Sequence, residues 1–133
     1  MGLDMYLKGE KFFWPDWKNP ENNRVEDGLK VSKLEVELGY WRKHPNLHGY
    51  IVKTFADGKD ECQVIDLSID NLEQIIKTVQ NKELPHTTGF FFGASLGSDE
   101  ETKEDVEIFT KAIEWAKVNE KGVSRTVLYK ASW

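Results

Sequence analysis

The residues best equipped for chemistry crowd into one stretch. Tyr40-Trp41-Arg42-Lys43-His44-Pro45-Asn46-Leu47-His48 sets two cations, two aromatic rings and two imidazoles immediately before and within the first turn of an expected helix. Unpaired backbone N–H groups at a helix start favour phosphate or carboxylate. A guanidinium grips either one in a fork, and an aromatic ring stacks on a base. A nucleotide-type ligand would use all three. The competing reading is structural: Tyr40 and Trp41 in the core, Arg42 and Lys43 paired with carboxylates, His48 bonded to a backbone carbonyl. His44 and His48 have the i, i+4 spacing with which two imidazoles share a metal, but no HExxH surrounds them and Pro45 lies between, so no metal site is expected.

Other candidates are weaker. Gly93-Ala94-Ser95-Leu96-Gly97 fits the GxSxG spacing of a nucleophile elbow, with an aromatic run before it, a helix after it, and His48 or His86 as the base. That helix is capped at Ser98, however, after an elbow should already be helical, and the chain is short for an α/β-hydrolase sheet. His86, beside Pro85 in a turn, has no partner readable from sequence. Asp99, Glu100, Glu101, Glu104 and Asp105 open the last helix, where carboxylates complement the helix dipole and read as a solvated face. No phosphate-cradling glycine loop of the Walker type occurs.

The elements that must position these residues follow from periodicity. Residues 3–13 alternate Leu3, Met5 and Leu7 against Asp4, Tyr6 and Lys8, which predicts a strand. Residues 14–29 carry two prolines, three asparagines and Asp27-Gly28, the marks of a long surface loop or insertion. Trp14 and Trp17 within it either fold back over the core edge or form an exposed binding lip. Residues 31–41 fit a helix through Val31, Leu34 and Leu38, and a strand through Leu34, Val36 and Leu38. Pro45 starts a short amphipathic helix through Leu47, Tyr50, Ile51 and Phe55, stopped at Asp57-Gly58.

Residues 62–67 read as a strand, and Ser68 caps a helix bearing Leu72, Ile75, Ile76 and Val79. Gly89-Phe90-Phe91-Phe92-Gly93 reads as a buried central strand. Ser98 with Glu101 forms a capping box before a stripe of Val106, Phe109, Ala112, Ile113 and Ala116 that runs until Gly122. Residues 123–133 alternate Val127, Tyr129, Ala131 and Trp133 against Thr126, Leu128, Lys130 and Ser132. Together these give a single α+β domain over residues 1–133: a small, mostly antiparallel sheet of about four strands with about three helices packed on one face.

Composition narrows the function classes. With 133 residues the chain builds one core. A net charge of −5 disfavours non-specific nucleic-acid binding, which relies on lysine and arginine neutralising phosphates. Cys62 is the only cysteine, so an intramolecular disulfide is impossible and a small buried hydrophobe is the expected role. Neither a signal peptide nor an apolar run long enough for a membrane is readable, so a cytoplasmic protein is expected.

Four pieces carry a resemblance: Met1-Gly2-Leu3-Asp4-Met5-Tyr6-Leu7; Gly39-Tyr40-Trp41-Arg42-Lys43 followed by Asn46-Leu47-His48; Thr88-Gly89-Phe90-Phe91-Phe92-Gly93; and Tyr129-Lys130-Ala131-Ser132-Trp133. In this order the chain resembles a family of small uncharacterised proteins of phages and prophages. Residues 14–29 look like a local elaboration, and His44-Pro45 replaces that family's typical Ala-Asn after the lysine. The resemblance implies a phage accessory protein working inside an infected bacterial host.

Joined to the cationic aromatic stretch, that context gives the leading expectation: a non-enzymatic binder that sequesters a nucleotide-derived signalling molecule of host defence, without a cofactor. Arg42 and Lys43 would hold phosphate, Trp41 or Tyr40 would stack on the base and His48 would add a hydrogen bond. Asp4 would bind a ribose hydroxyl, and the strand with Phe90 and Phe92 would floor the pocket. A homodimer would supply enclosure. The alternative is a protein-interaction module that inhibits a host defence or nucleic-acid-processing protein; a small hydrolase ranks below both. Tryptophans converging on Arg42 in a concavity would favour the small ligand, and tryptophans on an open face beside the acidic helix the protein partner.

Overall fold

Alternation along the first strand decides the layout. Leu3, Met5 and Leu7 are fully buried, while Asp4, Tyr6 and Lys8 keep contact with water, giving the strand one dry and one wet face. The computed structural model describes residues 2–87, 95 and 97–133. In chain order its elements are β1 (Asp4–Phe13), a 3-10 turn (Pro20–Asn22), β2 (Val25–Glu26), β3 (Leu29–Lys30), β4 (Lys33–Arg42), α1 (Pro45–Phe55), β5 (Ile65–Leu67), α2 (Ile69–Gln80), α3 (Asp99–Lys117) and β6 (Val123–Ser132). The fold is α+β, with a four-stranded antiparallel sheet of order β4-β1-β6-β5 and a separate two-stranded pairing of β2 with β3.

Registers fix which side chains share a face. Met5 lies opposite Trp41 on one side and Ala131 on the other, and Asp4 lies opposite Arg42 and Ser132. Leu7 opposes Gly39 while Lys8 opposes Glu37, so Leu38 is the extra residue of a bulge. On the dry face Trp41, Val127, Tyr129 and Ala131 join Leu3, Met5 and Leu7 in one core with Leu47, Ile51, Leu72, Ile75 and Phe109 of the helices. Each large apolar side chain so buried is worth about 1.5–3 kcal/mol.

Two glycines allow α3 to cross that face closely. A Cβ on Gly39 would stand 2.4 Å from Ile108 Cγ2, and one on Gly9 would stand 2.7 Å from Trp115 Cη2. Ser98 caps α3 by accepting the Glu101 N–H at 3.2 Å, and Ser68 caps α2 by accepting the Asn71 N–H at 3.1 Å. Among the described residues no helix is long and apolar enough to cross a membrane.

Several expectations change here. Residues 31–41, compatible with helix or strand in isolation, become the strand β4 because β1 offers a full row of partners. The strand expected over residues 62–67 shortens to Ile65–Leu67, since Cys62 takes a left-handed conformation (φ 57°) that no ladder accommodates; its side chain is half-buried. Residues 14–30, expected as a long surface loop or insertion, contain the 3-10 turn and the β2 and β3 pairing and are braced by side chains. Asp16 accepts N–H groups of Lys18 (3.1 Å) and Asn19 (2.9 Å) and the Asn22 amide (3.2 Å), while Asn23 accepts the Asp16 N–H at 2.8 Å. This bracing ends in the short β2-β3 hairpin. The aromatic strand expected at Gly89 to Gly93, with Phe90 and Phe92, lies outside the described residues.

Candidate functional site

Because β-strand side chains alternate, the cationic aromatic stretch divides between the two faces of β4. Tyr40 and Arg42 project from the wet face, where β1 supplies Asp4 and Tyr6 directly opposite and β6 supplies Lys130 and Ser132. Tyr40 Oη donates to Asp4 Oδ1 at 2.5 Å, and the Tyr40 and Tyr6 rings meet at 5.2 Å between centroids. That hydrogen bond to the Asp4 carboxylate pushes the Tyr40 pKa upward. Arg42 and Lys43 are exposed, and Lys43 turns left-handed (φ 57°) as its N–H caps the β1 edge at Leu3 O, 2.8 Å away. Asp4, Tyr40, Arg42 and Lys43 therefore fall at one end of an open sheet face.

Trp41 points the other way, into a chain of buried hydrogen bonds. Its indole stacks on Phe109 (5.3 Å) and its Nε1–H donates to Asp105 Oδ1 at 2.8 Å. Asp105 Oδ2 meets His44 Nε2 at 2.7 Å, and His44 Nδ1 meets Ser95 Oγ at 2.7 Å. Ser95 Oγ in turn accepts the Asn46 N–H at 3.1 Å. Asp105 is 1 % and His44 3 % exposed. A carboxylate only accepts, so Nε2 carries a proton toward Asp105, while the Ser95 hydroxyl can donate to Nδ1 or accept from it. Glu101 Oε1 approaches the same Nε2 at 3.5 Å and accepts the Gly97 N–H at 3.1 Å.

Serine, histidine and aspartate in line invite comparison with a hydrolytic triad, and the arrangement differs from one. Ser95 Oγ already accepts a helix N–H, so it ties residue 95 to the first turn of α1 and occupies one of the N–H groups expected to bind an anion there. The serine also stands three residues before the Ser98 cap, outside α3, whereas a nucleophile elbow leads directly into its helix. Two clefts open onto this chain. One of about 100 Å³ includes Asn46, Lys82 and Thr102, and another of about 250 Å³ includes Tyr40, Arg42, Glu100 and Glu104; His44, Glu101 and Asp105 line both.

His48 serves a second buried cluster, not the first. It lies 1 % exposed, with Nδ1 at 2.5 Å from Tyr129 Oη and Nε2 at 2.9 Å from Asp60 Oδ2, and the Trp133 ring edges onto it at 5.6 Å. Burial, and secondarily the Asp60 charge, raise the Tyr129 pKa well above its ordinary value. Of the residues expected to bind ligand, Trp41 and His48 are thus packed inside, away from the open face that holds Asp4, Tyr40, Arg42 and Lys43; Phe90 and Phe92 lie outside the described residues.

Asp105, expected on a solvated acidic face, is buried instead. Its spacing from Phe109, Ala112 and Ala116 is that of the same helical stripe, and this was the signal that could have placed it inside. Of the two arrangements expected for Trp14 and Trp17, fold-back over the core edge or exposure, the structure has the exposed one. Trp14 is 59 % and Trp17 84 % exposed, Trp14 Nε1–H donates to Ser124 Oγ at 2.7 Å, and Lys30 Nζ sits 5.6 Å above the Trp17 ring. A cleft of about 400 Å³ lined by Phe13, Trp14, Arg24, Lys30 and Glu120 runs beside them. They lie at the far end of β1 and β6 from Arg42. Comparison with known protein families, with curated proteins and with solved structures finds no match.

Proposed function

We propose that this protein is a non-enzymatic binding protein that docks on a protein partner through the braced arm of residues 14–30. The observation carrying this reading is the pair Trp14 and Trp17, well exposed on a segment fixed by its own hydrogen bonds and remote from Arg42. Exposed tryptophans on a preorganised segment lose little conformational entropy on binding and commonly anchor protein interfaces. Val25 and Leu29 add exposed apolar surface on the same arm. Taken with the resemblance to phage and prophage proteins, the partner class is a host protein of defence or nucleic-acid processing.

A second reading keeps the nucleotide-type ligand and moves it to the open sheet face. There the Tyr6 and Tyr40 rings offer a stacking surface, Arg42 and Lys43 offer phosphate contacts, and Asp4 offers a ribose contact. The cleft beside Arg42 suits a phosphate poorly, because Glu100, Glu101, Glu104 and Asp105 line it. Such a ligand would lie on a flat surface and gain enclosure only from a second copy.

One pair of assays separates the readings. Affinity capture from bacterial lysate with the native protein, Trp17→Ser and Arg42→Ala tests the arm: a partner retained by native protein and Arg42→Ala but lost by Trp17→Ser supports docking. Melting against mono-, di-, cyclic and ADP-ribose-type nucleotides tests the face. A stabilisation that Arg42→Ala abolishes and Trp17→Ser leaves intact would replace the docking reading with nucleotide binding.

A further inference from the structure

We infer that His44, Glu101 and Asp105 form a binding site for a first-row divalent transition-metal ion. Each offers one ligand atom, and the three atoms lie within 4.8 Å of one another. Donor atoms about 2.1 Å from a small divalent ion stand about 3.0 Å apart at a right angle and about 3.4 Å at a tetrahedral one. His44 Nε2 is 2.7 Å from Asp105 Oδ2 and 3.5 Å from Glu101 Oε1, close to those spacings, and the two carboxylates lie within 4.8 Å of each other, a separation that rotation of the Glu101 side chain at the cleft edge can shorten.

The surroundings have the form of an outer ligand shell. Trp41 Nε1–H holds Asp105 Oδ1 at 2.8 Å and so aims Oδ2 at the imidazole. Gly97 N–H positions Glu101, and Ser95 Oγ lies 2.7 Å from His44 Nδ1. When Nε2 takes the ion its proton passes to Nδ1, or to solvent if the ring is already doubly protonated. Nδ1–H then donates to Ser95 Oγ, which fixes the metal-binding tautomer.

Charge and access agree. The cleft of about 250 Å³ reaching the three donors is lined by Glu100, Glu101, Glu104 and Asp105 against the single guanidinium of Arg42, an environment that draws cations and leaves room for water or a further ligand on the ion. One imidazole with two carboxylates suits Mn²⁺, Co²⁺ or Zn²⁺ better than Mg²⁺ or Ca²⁺, which prefer oxygen alone. The site stands on α3 and the start of α1, independent of the arm.

The test is titration of the full chain with Co²⁺, followed by ligand-field absorption and equilibrium dialysis, for the native protein, His44→Ala, Glu101→Gln and the exposed His86→Ala. Expected are one ion per native chain, an affinity loss of at least about tenfold in Glu101→Gln and His44→Ala, and no change in His86→Ala. Should His44→Ala fail to fold, Glu101→Gln decides alone, since its carboxylate sits at the cleft edge. Absence of binding at millimolar Co²⁺, or binding that Glu101→Gln leaves unchanged, would overturn the inference.

Discussion

Replacing Asp105 with alanine tests whether the buried chain organises the helical layer. Its carboxylate accepts Trp41 Nε1–H at 2.8 Å and pairs with His44 Nε2 at 2.7 Å, and all three residues are buried. Alanine leaves Trp41 Nε1–H without an acceptor and leaves His44 Nε2 only the more distant Glu101 Oε1 at 3.5 Å, and each buried unpaired donor costs about 1–3 kcal/mol. Part of this is offset because a carboxylate no longer has to be desolvated, so the expected loss is about 3–4 kcal/mol. For 133 residues the unfolding entropy is about 0.28 kcal/mol per kelvin, which makes a 3 kcal/mol loss a fall of about 11 °C in Tm. Urea unfolding should show the midpoint drop with an unchanged slope. Trp41→Phe strands only Asp105 Oδ1 and should cost about 1–3 kcal/mol. The double variant should lose less than the sum by about 1 kcal/mol or more. A loss below about 1 kcal/mol in Asp105→Ala, or strict additivity of the pair, would refute the assignment of this carboxylate as the acceptor that joins α3 to β4.

Gly39→Ala should destabilise by about 1–3 kcal/mol, because its Cβ would stand 2.4 Å from Ile108 Cγ2. In urea unfolding Gly39→Ala with Ile108→Ala should cost less than the two single losses added. Burial holds the Tyr129 hydroxyl well above its ordinary 10.0, so the folded chain keeps a proton the unfolded chain releases. This group leaves stability unchanged below pH about 10 and erodes it as pH climbs from there toward the native value; urea midpoints against pH should show that alkaline limb flattened in Tyr129→Phe. Ser95 should resist a fluorophosphonate probe under conditions that label a serine hydrolase, and stoichiometric labelling read by intact mass would restore the hydrolase reading. Ser98→Ala removes the cap of α3 and should cost about 0.5–2 kcal/mol by urea unfolding.

Much of the fold is written in local patterns. The alternation of Leu3, Met5 and Leu7, the Pro45 start, the Ser68 and Ser98 caps and the stripe through Phe109 and Ala112 each specify an element through contacts within a few residues, and each stands where sequence puts it. The one-faced packing of helices follows from the same periods, since each element has a single apolar side to bury. Residues 31–41 mark the limit of that logic: helix and strand fit equally until β1 offers its unpaired edge groups.

The candidate sites needed the tertiary structure because they join residues far apart in the chain. His44 meets Ser95 and Asp105 across 51 and 61 positions, and His48 meets Tyr129 across 81. Local sequence bunched Tyr40, Trp41 and Arg42 as one group; strand alternation sends Trp41 inward and its two neighbours outward, so they serve different surfaces. Residue types and periods thus determined which groups were available, whereas their partnerships arose only when the sheet registers and the close approach of α3 over Gly39 brought distant side chains within hydrogen-bond distance.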